Sequence, residues 1–119
     1  SDVLVIAHPV ALRQVVDNLL HNAIGYRDSR RVLTVRLEVD ASGPGVELRV
    51  HDNGRGIEAE HHDYVFLPFR RVHTDRPGRG VGLTVSRRLA EQCRGRLRVV
   101  PQPEPHGTCL ELSLLRGGP

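Results

Sequence analysis

The sequence contains no lysine, and this absence limits how it can handle phosphate groups. All seventeen basic residues among the 119 are arginine. A P-loop requires a lysine after its glycines, and the eukaryotic-type protein kinase requires one on its third strand. Both of these nucleotide-site designs are excluded, so any phosphate chemistry must rely on arginine, backbone amides or a metal ion.

Other scarce features exclude further classes. Aromatic residues make up only 3%, and the net charge of +3 is spread along the chain, which argues against a nucleic-acid-binding surface. Cys93 and Cys109 fit neither a disulfide framework nor a zinc pattern, as expected in the reducing cytoplasm. No apolar run is long enough to cross a bilayer, so no direct membrane contact is expected. We expect one globular domain over residues 1–119, cut from a longer protein.

The spacing of apolar residues predicts an α+β two-layer sandwich, in which a mixed sheet of about five strands packs on about three helices. Strands are predicted over Leu4–Ala7, 33–39, 46–50, 97–100 and 110–114, and helices from Pro9, over Glu58–Tyr64 and after the glycines of 78–82. The strand over 33–39 alternates apolar and polar residues, which is typical of a half-buried strand. The last helix is expected to turn Val85, Leu89 and Cys93 inward and to be capped by Gly95.

Polar side chains follow one edge of the first predicted helix. Asn18, Asn22 and Tyr26 are spaced i, i+4, i+8, and this ridge flanks the apolar stripe that includes Val15 and Leu19. Amides at the border of a buried face are placed to face a cleft. The spacing is equally compatible with two asparagines that simply lie in solvent.

The segment HDNGRGI follows an alternating strand, and its carboxylate is the sharpest candidate for a functional group. Strand parity places Asp52 on the same face as Val50, toward the core, where a carboxylate needs a hydrogen-bond donor. The alternative is a plain Asn53-Gly54 hairpin turn, with Asp52 bonded to the backbone. However, no alternating strand follows Gly56.

A run of glycines leads into the last predicted helix. Gly78, Gly80 and Gly82 precede Leu83, and the amides and dipole of a helix N-terminus bind anions. Alone this pattern is weak, and a flexible loop would look the same.

Five segments, taken in order, point to a family. They are LRQVVDNLLHNAIGY, DNGRGI, VFLPFRRV, GRGVGLTVSRRLAE and HGTCLEL. In order and spacing they resemble the N, G1, F, G2 and G3 boxes of the GHKL ATP-binding superfamily, which has the Bergerat fold. The resemblance extends from about Leu4 to Leu114 and is strongest to the catalytic and ATP-binding domain of bacterial sensor histidine kinases.

The resemblance implies ATP and Mg²⁺ as ligands and a role for each matching residue. Asn22 would ligate magnesium, Asn18 would be its companion in the nucleotide site one turn earlier, and Tyr26 would pack near the adenine. Asp52 would accept a hydrogen bond from the adenine amino group, with Thr108 behind the base. The other implied nucleotide-binding positions are Gly54, Gly56 and Ile57 after Asp52, Arg71 in the F box, and Gly78, Gly80, Gly82 and Leu83 at the phosphate end of the lid.

The implied activity is transfer of the γ-phosphoryl group of ATP to a histidine on a separate helical dimerisation domain, for relay to the receiver domain of a response regulator. No histidine of this chain matches that acceptor, so no catalytic residue is assigned within it. Asn18 argues against the branches that resemble it in fold but carry a glutamate base there, namely GHKL ATPases and anti-sigma serine kinases. Gly25 stands where the family usually has a basic residue, which leaves a non-catalytic nucleotide-binding module as the other alternative.

Overall fold

The computed structural model describes residues 4–57, 66, 82–101 and 107–117. Within them are five strands and two helices, in the order β1 (Val5–Ile6), α1 (Pro9–Gly25), β2 (Val35–Asp40), β3 (Val46–Asp52), α2 (Gly82–Gln92), β4 (Arg96–Val100) and β5 (Thr108–Arg116). The helix predicted over Glu58–Tyr64 lies outside the described residues. In the part of the chain that is described, no helix is long and apolar enough to span a membrane.

Strand β5 organises the sheet. It pairs with β3 and β4 through the same residues, so these two strands lie on its opposite sides, and β2 lies beyond β3. Strand β1 pairs with the last residues of β5. Every strand pair among the described residues is antiparallel, so the sheet they form is not the predicted mixed one. Strands β3 and β4, which precede and follow α2 in the chain, run parallel to each other. They are not neighbours in the sheet, because β5 lies between them and pairs with each of them in the antiparallel direction.

Helix α1 supplies much of the core. Pro9 opens it at a position where the missing backbone N–H costs nothing. The helix packs against α2 and contacts β3. Its buried line consists of Ala11, Val15, Leu19 and Ala23. The predicted apolar stripe is therefore correct in position, with Leu12 and Leu20 half-buried at its margin.

Helix α2 turns Cys93 and, half-buried, Leu89 toward the core as predicted, but not Val85. Val85 is 42% exposed, whereas Leu83, Ala90 and Cys93 are buried together with Ser86. Ser86 occupies one position on the buried face of the helix. A prediction based only on apolar residues therefore placed Val85 on that face instead. Helix periodicity remains intact once Ser86 is included.

The end of α2 has a different cap from the predicted one. Arg94 takes the left-handed conformation, with φ of 58°. The backbone N–H of Gly95 donates to the carbonyl of Ala90 at 2.8 Å, and that of Arg94 to Glu91 at 2.9 Å, which forms a Schellman motif. Glycine is required at 95 for another reason, because a Cβ there would lie 2.4 Å from the carbonyl oxygen of Ser113.

Strand β2 forms where alternation predicted it but is not half-buried on its apolar side. Val35, Leu37 and Val39 are 38%, 53% and 56% exposed. Their register partners Leu48 and Val50 face the core. The alternation identified the strand correctly, but its position outside β3 leaves its apolar face largely exposed.

Candidate functional site

The carboxylate at the end of β3 faces the core side of the sheet, as strand parity predicted. Asp52 lies opposite Thr108 of β5 in the register and is half-buried. Its Oδ1 accepts a hydrogen bond from the backbone N–H of Gly54 at 2.8 Å, and the backbone N–H of Thr108 also donates to it. Burial raises the pKa of Asp52 above its ordinary value, although these two N–H groups oppose the shift. The aspartate therefore bonds to its own turn and also faces inward.

The loop after Asp52 is held between the end of α1 and the start of β5. The carbonyl of Tyr26 accepts from the backbone N–H of Arg55 at 3.0 Å, and the carbonyl of Gly54 accepts from Gly107 at 2.9 Å. A Cβ on Gly54 would lie 2.4 Å from the carbonyl oxygen of Tyr26. Gly56 has φ of 81°, a conformation that favours glycine. Residues 53–57 form no strand, so this is not a hairpin turn.

The amide ridge of α1 runs toward this loop. Both asparagines are half-buried, which answers the alternative that they simply lie in solvent. The Oδ1 atom of Asn18 accepts from Nε2 of Gln14 at 2.9 Å. The carbonyl of Asn22 accepts from the N–H of Tyr26, so the helix ends at the residue that contacts the loop. The ridge therefore begins at Asn18, which is hydrogen-bonded to Gln14, and ends at Tyr26, which lies beside Gly54.

Two buried polar side-chain atoms in the described part of the chain have no hydrogen-bond partner. They are Nδ2 of Asn22 and Oγ1 of Thr108. Burying a polar atom without a partner costs about 1–3 kcal/mol, so such atoms often mark a place where a ligand binds. Both residues belong to the set implied by the family resemblance.

The remaining predicted site residues fall into two groups. Ile57 is half-buried and packs against the core, Leu83 is buried in the core, and Gly82 is the first residue of α2. Arg71, Gly78 and Gly80 lie outside the described residues. The structure therefore brings together the base-binding part of the predicted set, while most of the phosphate-binding part stays a prediction.

Sequence reasoning overlooked three side chains and one glycine at this loop. Asp28 and Arg31 lie in the segment after α1, Asn53 lies within the loop, and Gly107 precedes Thr108 with φ of 99°. A carboxylate followed within three residues by two arginines, directly after a predicted helix, was the available signal. Asn53 and Gly107 lay inside the recognised boxes but were passed over.

The described residues thus form an antiparallel sheet packed against two helices, with an inward carboxylate and two unpartnered polar side-chain atoms on the predicted site residues. A family model described as "Histidine kinase-, DNA gyrase B-, and HSP90-like ATPase" matches residues 7–117. The chain belongs to this family.

Relatives place the chain within that family. It is 37% identical to Sensor protein TorS of Escherichia coli over 106 residues, which is 89% of this chain and 11% of the relative. It is 37% identical to Sensor protein PfeS of Pseudomonas aeruginosa over 114 residues, or 95% of this chain and 25% of the relative. The chain thus spans about a quarter or less of the length of these relatives.

Solved structures agree with this placement. A mycobacterial sensor histidine kinase, MprB, superposes with a TM-score of 0.80 at 29% identity, covering 94% of this chain and 76% of that chain. Full-length ShkA, crystallised with AMPPNP, gives a TM-score of 0.74 at 27% identity, with 90% and 22% covered. The chain is a catalytic domain of the sensor histidine kinase type, which confirms the resemblance and the predicted sandwich class.

Proposed function

We propose that this domain binds ATP beside Asp52 and, within a longer protein, donates the γ-phosphoryl group to a histidine on a separate helical dimerisation domain. The phosphoryl group would then pass to the receiver domain of a response regulator in the cytoplasm. The observation that carries the proposal is the inward, half-buried carboxylate at the end of β3, in a chain whose relatives are sensor kinases.

The carboxylate selects the base by its hydrogen-bond chemistry. An ionised aspartate only accepts hydrogen bonds. Adenine presents a donating amino group where guanine presents an accepting carbonyl oxygen. Asp52 is thus matched to adenine, with Tyr26, Gly54, Gly56 and Ile57 around the base. The buried Oγ1 of Thr108, directly opposite in the register, is available to the ligand.

Asn22 fits a role at a magnesium ion. Its amide is half-buried on the ridge, and the atom without a partner is the nitrogen Nδ2, which can donate to a phosphate oxygen, so the ion would be ligated by Oδ1. Magnesium prefers oxygen ligands and is usually shared with substrate phosphates. When bound, the ion would neutralise charge on the phosphates. The phosphates themselves would be contacted by Arg71 and by the segment of Gly78, Gly80, Gly82 and Leu83.

Asn18 favours phosphoryl transfer to a partner histidine over hydrolysis. Its amide lacks a basic atom, and Oδ1 already accepts from Gln14. It cannot deprotonate water or a serine hydroxyl, as a glutamate could. An imidazole acceptor needs no such base here, because it can be activated by groups of its own domain.

Calorimetric titration with ATP, ADP and GTP, with and without Mg²⁺, tests the proposal. We expect ATP and ADP to bind, GTP to bind at least about 10-fold more weakly, and steady ATP hydrolysis to be absent. A supplied histidine-bearing dimerisation domain should become labelled from γ-labelled ATP. Equal binding of GTP or steady hydrolysis would contradict the proposal, and tight ATP binding without labelling would indicate a non-catalytic module.

Gly25 allows a second test, because it holds the position where the family usually has a basic residue. A Cβ at Gly25 would have no heavy atom within 4 Å, so larger side chains fit. Gly25 is the last residue of α1, so Gly25→Lys and Gly25→Ala should both stabilise the helix by less than the roughly 0.5–1 kcal/mol expected in a helix interior. Only the lysine should tighten ATP binding, by roughly 3- to 10-fold, and this gain should shrink at high salt.

Thermal unfolding and ATP titration of both variants separate the two effects. The alanine variant is the matched control, since it gains helix stability without a charge. If it tightened ATP as much as the lysine variant, the gain would come from helix order and the missing cation would be irrelevant.

A further inference from the structure

The loop that carries Asp52 is tied to the segment directly after α1. We call residues 26–34 the post-helix segment. Every residue from 53 to 55 bonds to it. The hydrogen bonds are Arg55 N to Tyr26 O at 3.0 Å, Asn53 Nδ2 to Val32 O at 2.8 Å, Thr34 N to Asn53 Oδ1 at 2.9 Å, and Arg31 Nη2 to Gly54 O at 3.5 Å.

Asp28 fixes the arginine that reaches the loop. Asp28 is only 6% exposed. Its Oδ2 accepts from Nη2 of Arg31 at 2.7 Å and from Nη2 of Arg30 at 2.8 Å, while Oδ1 accepts from the backbone N–H and Nε of Arg30 at 3.0 Å each. Hydrogen bonds from Arg30 hold the pKa of Asp28 far below its usual range. Nη2 of Arg31 thereby lies between that carboxylate and the carbonyl of Gly54 at 3.5 Å, and the same carbonyl also accepts from the backbone N–H of Gly107 at 2.9 Å.

Asn53 uses both ends of its amide. The oxygen accepts from the N–H of Thr34 and the nitrogen donates to the carbonyl of Val32. An aspartate at this position could still accept but could not donate. The side chain therefore depends on being an amide and not merely on being polar.

These contacts reach the carboxylate through Gly54. The backbone N–H of Gly54 donates to Oδ1 of Asp52 at 2.8 Å, so a movement of Gly54 moves or rotates that carboxylate. Productive recognition tolerates displacements of only about 0.5 Å in such a group.

We propose that Asp28, Arg31 and Asn53 are positioning residues for adenine recognition, which hold Gly54 and through it keep the Asp52 carboxylate aimed at the amino group of the base. This inference rests on the proposed function. It assigns nucleotide selectivity in part to Asp28 and Arg31, which lie outside the five boxes.

A double-mutant cycle on ATP and GTP affinity tests the inference. Asp28→Asn removes the charge and replaces one accepting oxygen by a donating nitrogen: in place of Oδ2 both arginines lose an acceptor, and in place of Oδ1 Arg30 loses two hydrogen bonds. We expect it to weaken ATP binding about 5- to 10-fold and to change GTP binding less than 2-fold, which lowers the ATP/GTP preference. In an Asp52→Ala background the same substitution should have no effect on either nucleotide. Asp17→Asn, at an exposed position on α1, is the matched control.

Asn53→Asp is the second variant and keeps the test decisive if Asp28→Asn unfolds. It keeps the acceptance from Thr34, replaces the donation to Val32 by a carboxylate oxygen that faces the Val32 carbonyl, adds a negative charge, and should also lower the ATP/GTP preference. Equal weakening of ATP and GTP, or an undiminished effect in the Asp52→Ala background, would show a merely structural role and overturn the inference.

The results also separate this inference from the proposed function. Wild-type protein that does not prefer ATP to GTP would overturn both. If wild type and Asp52→Ala behave as expected while Asp28→Asn and Asn53→Asp bind ATP like wild type, the positioning inference alone is wrong.

Discussion

Replacing Asp52 with alanine is expected to weaken ATP binding by roughly 10- to 150-fold. A hydrogen bond to a charged group contributes about 1.5–3 kcal/mol, and this one forms in a half-buried position where water competes poorly. Titration calorimetry of wild type and variant measures the change directly. Asp40→Asn on the neighbouring strand removes a carboxylate outside the site and should bind ATP like wild type.

Asp52→Asn should change selectivity as well as affinity. An asparagine can donate to the carbonyl oxygen of guanine, which the carboxylate repels, so GTP binding should improve relative to ATP. If alanine or asparagine at this position left ATP binding intact, the adenine assignment would be wrong.

The pH dependence of ATP binding gives an independent readout of the same carboxylate. Burial raises the pKa of Asp52 in the free protein, so folding favours the protonated carboxyl over the ionised one. The stability that the protonated carboxyl contributes is therefore lost as pH rises through the raised pKa. ATP needs the ionised form. Affinity should therefore fall as pH drops through the raised pKa, and Asp52→Asn should remove this part of the pH dependence. At neutral pH the free Asn variant should be at least as stable as wild type, although it binds ATP more weakly.

Local patterns in the sequence were sufficient to predict most secondary structure. Pro9 and the apolar period define α1, and alternation defines β2 and β3. Burial was harder to predict, because it depends on what lies across the sheet. Leu37 is exposed because its strand has only β3 beside it among the described residues. Ser86 is buried because α1 packs over α2, and no apolar pattern marks a serine as core.

The same distinction between local patterns and long-range contacts applies to the candidate site. The inward position of Asp52 could be predicted because strand parity is a local property, whereas Asn22 and Thr108 were singled out because they belong to boxes of the family resemblance. The contact of Arg31 with Gly54 joins positions 23 residues apart, and no local period reports such a contact. Asp28 was not singled out from the sequence, because its burial and its hydrogen bonds with Arg30 and Arg31 are properties of the fold.

Replacing Gly54 with alanine is expected to lower both stability and ATP affinity. The new Cβ would lie 2.4 Å from the carbonyl oxygen of Tyr26 and 3.0 Å from Oδ1 of Asp52, and the first of these is backbone that cannot rotate away. Overpacking of this kind costs about 1–3 kcal/mol. Relief requires the loop to move away from α1, which carries Asp52 with it, so ATP affinity should fall at least about 10-fold.

Two other glycines make the effect on binding separable from the effect on folding. A Cβ at Gly45 would lie 2.9 Å from the carbonyl oxygen of Leu114, next to the opposite end of β3, so Gly45→Ala should destabilise the domain without weakening ATP binding. A Cβ at Gly43 would meet nothing within 4 Å, and Gly43→Ala should leave both quantities near wild type. Urea unfolding and ATP titration of the three variants give the comparison. If Gly45→Ala weakened ATP as much as Gly54→Ala at equal loss of stability, the close contact between Gly54 and Tyr26 would serve the fold alone.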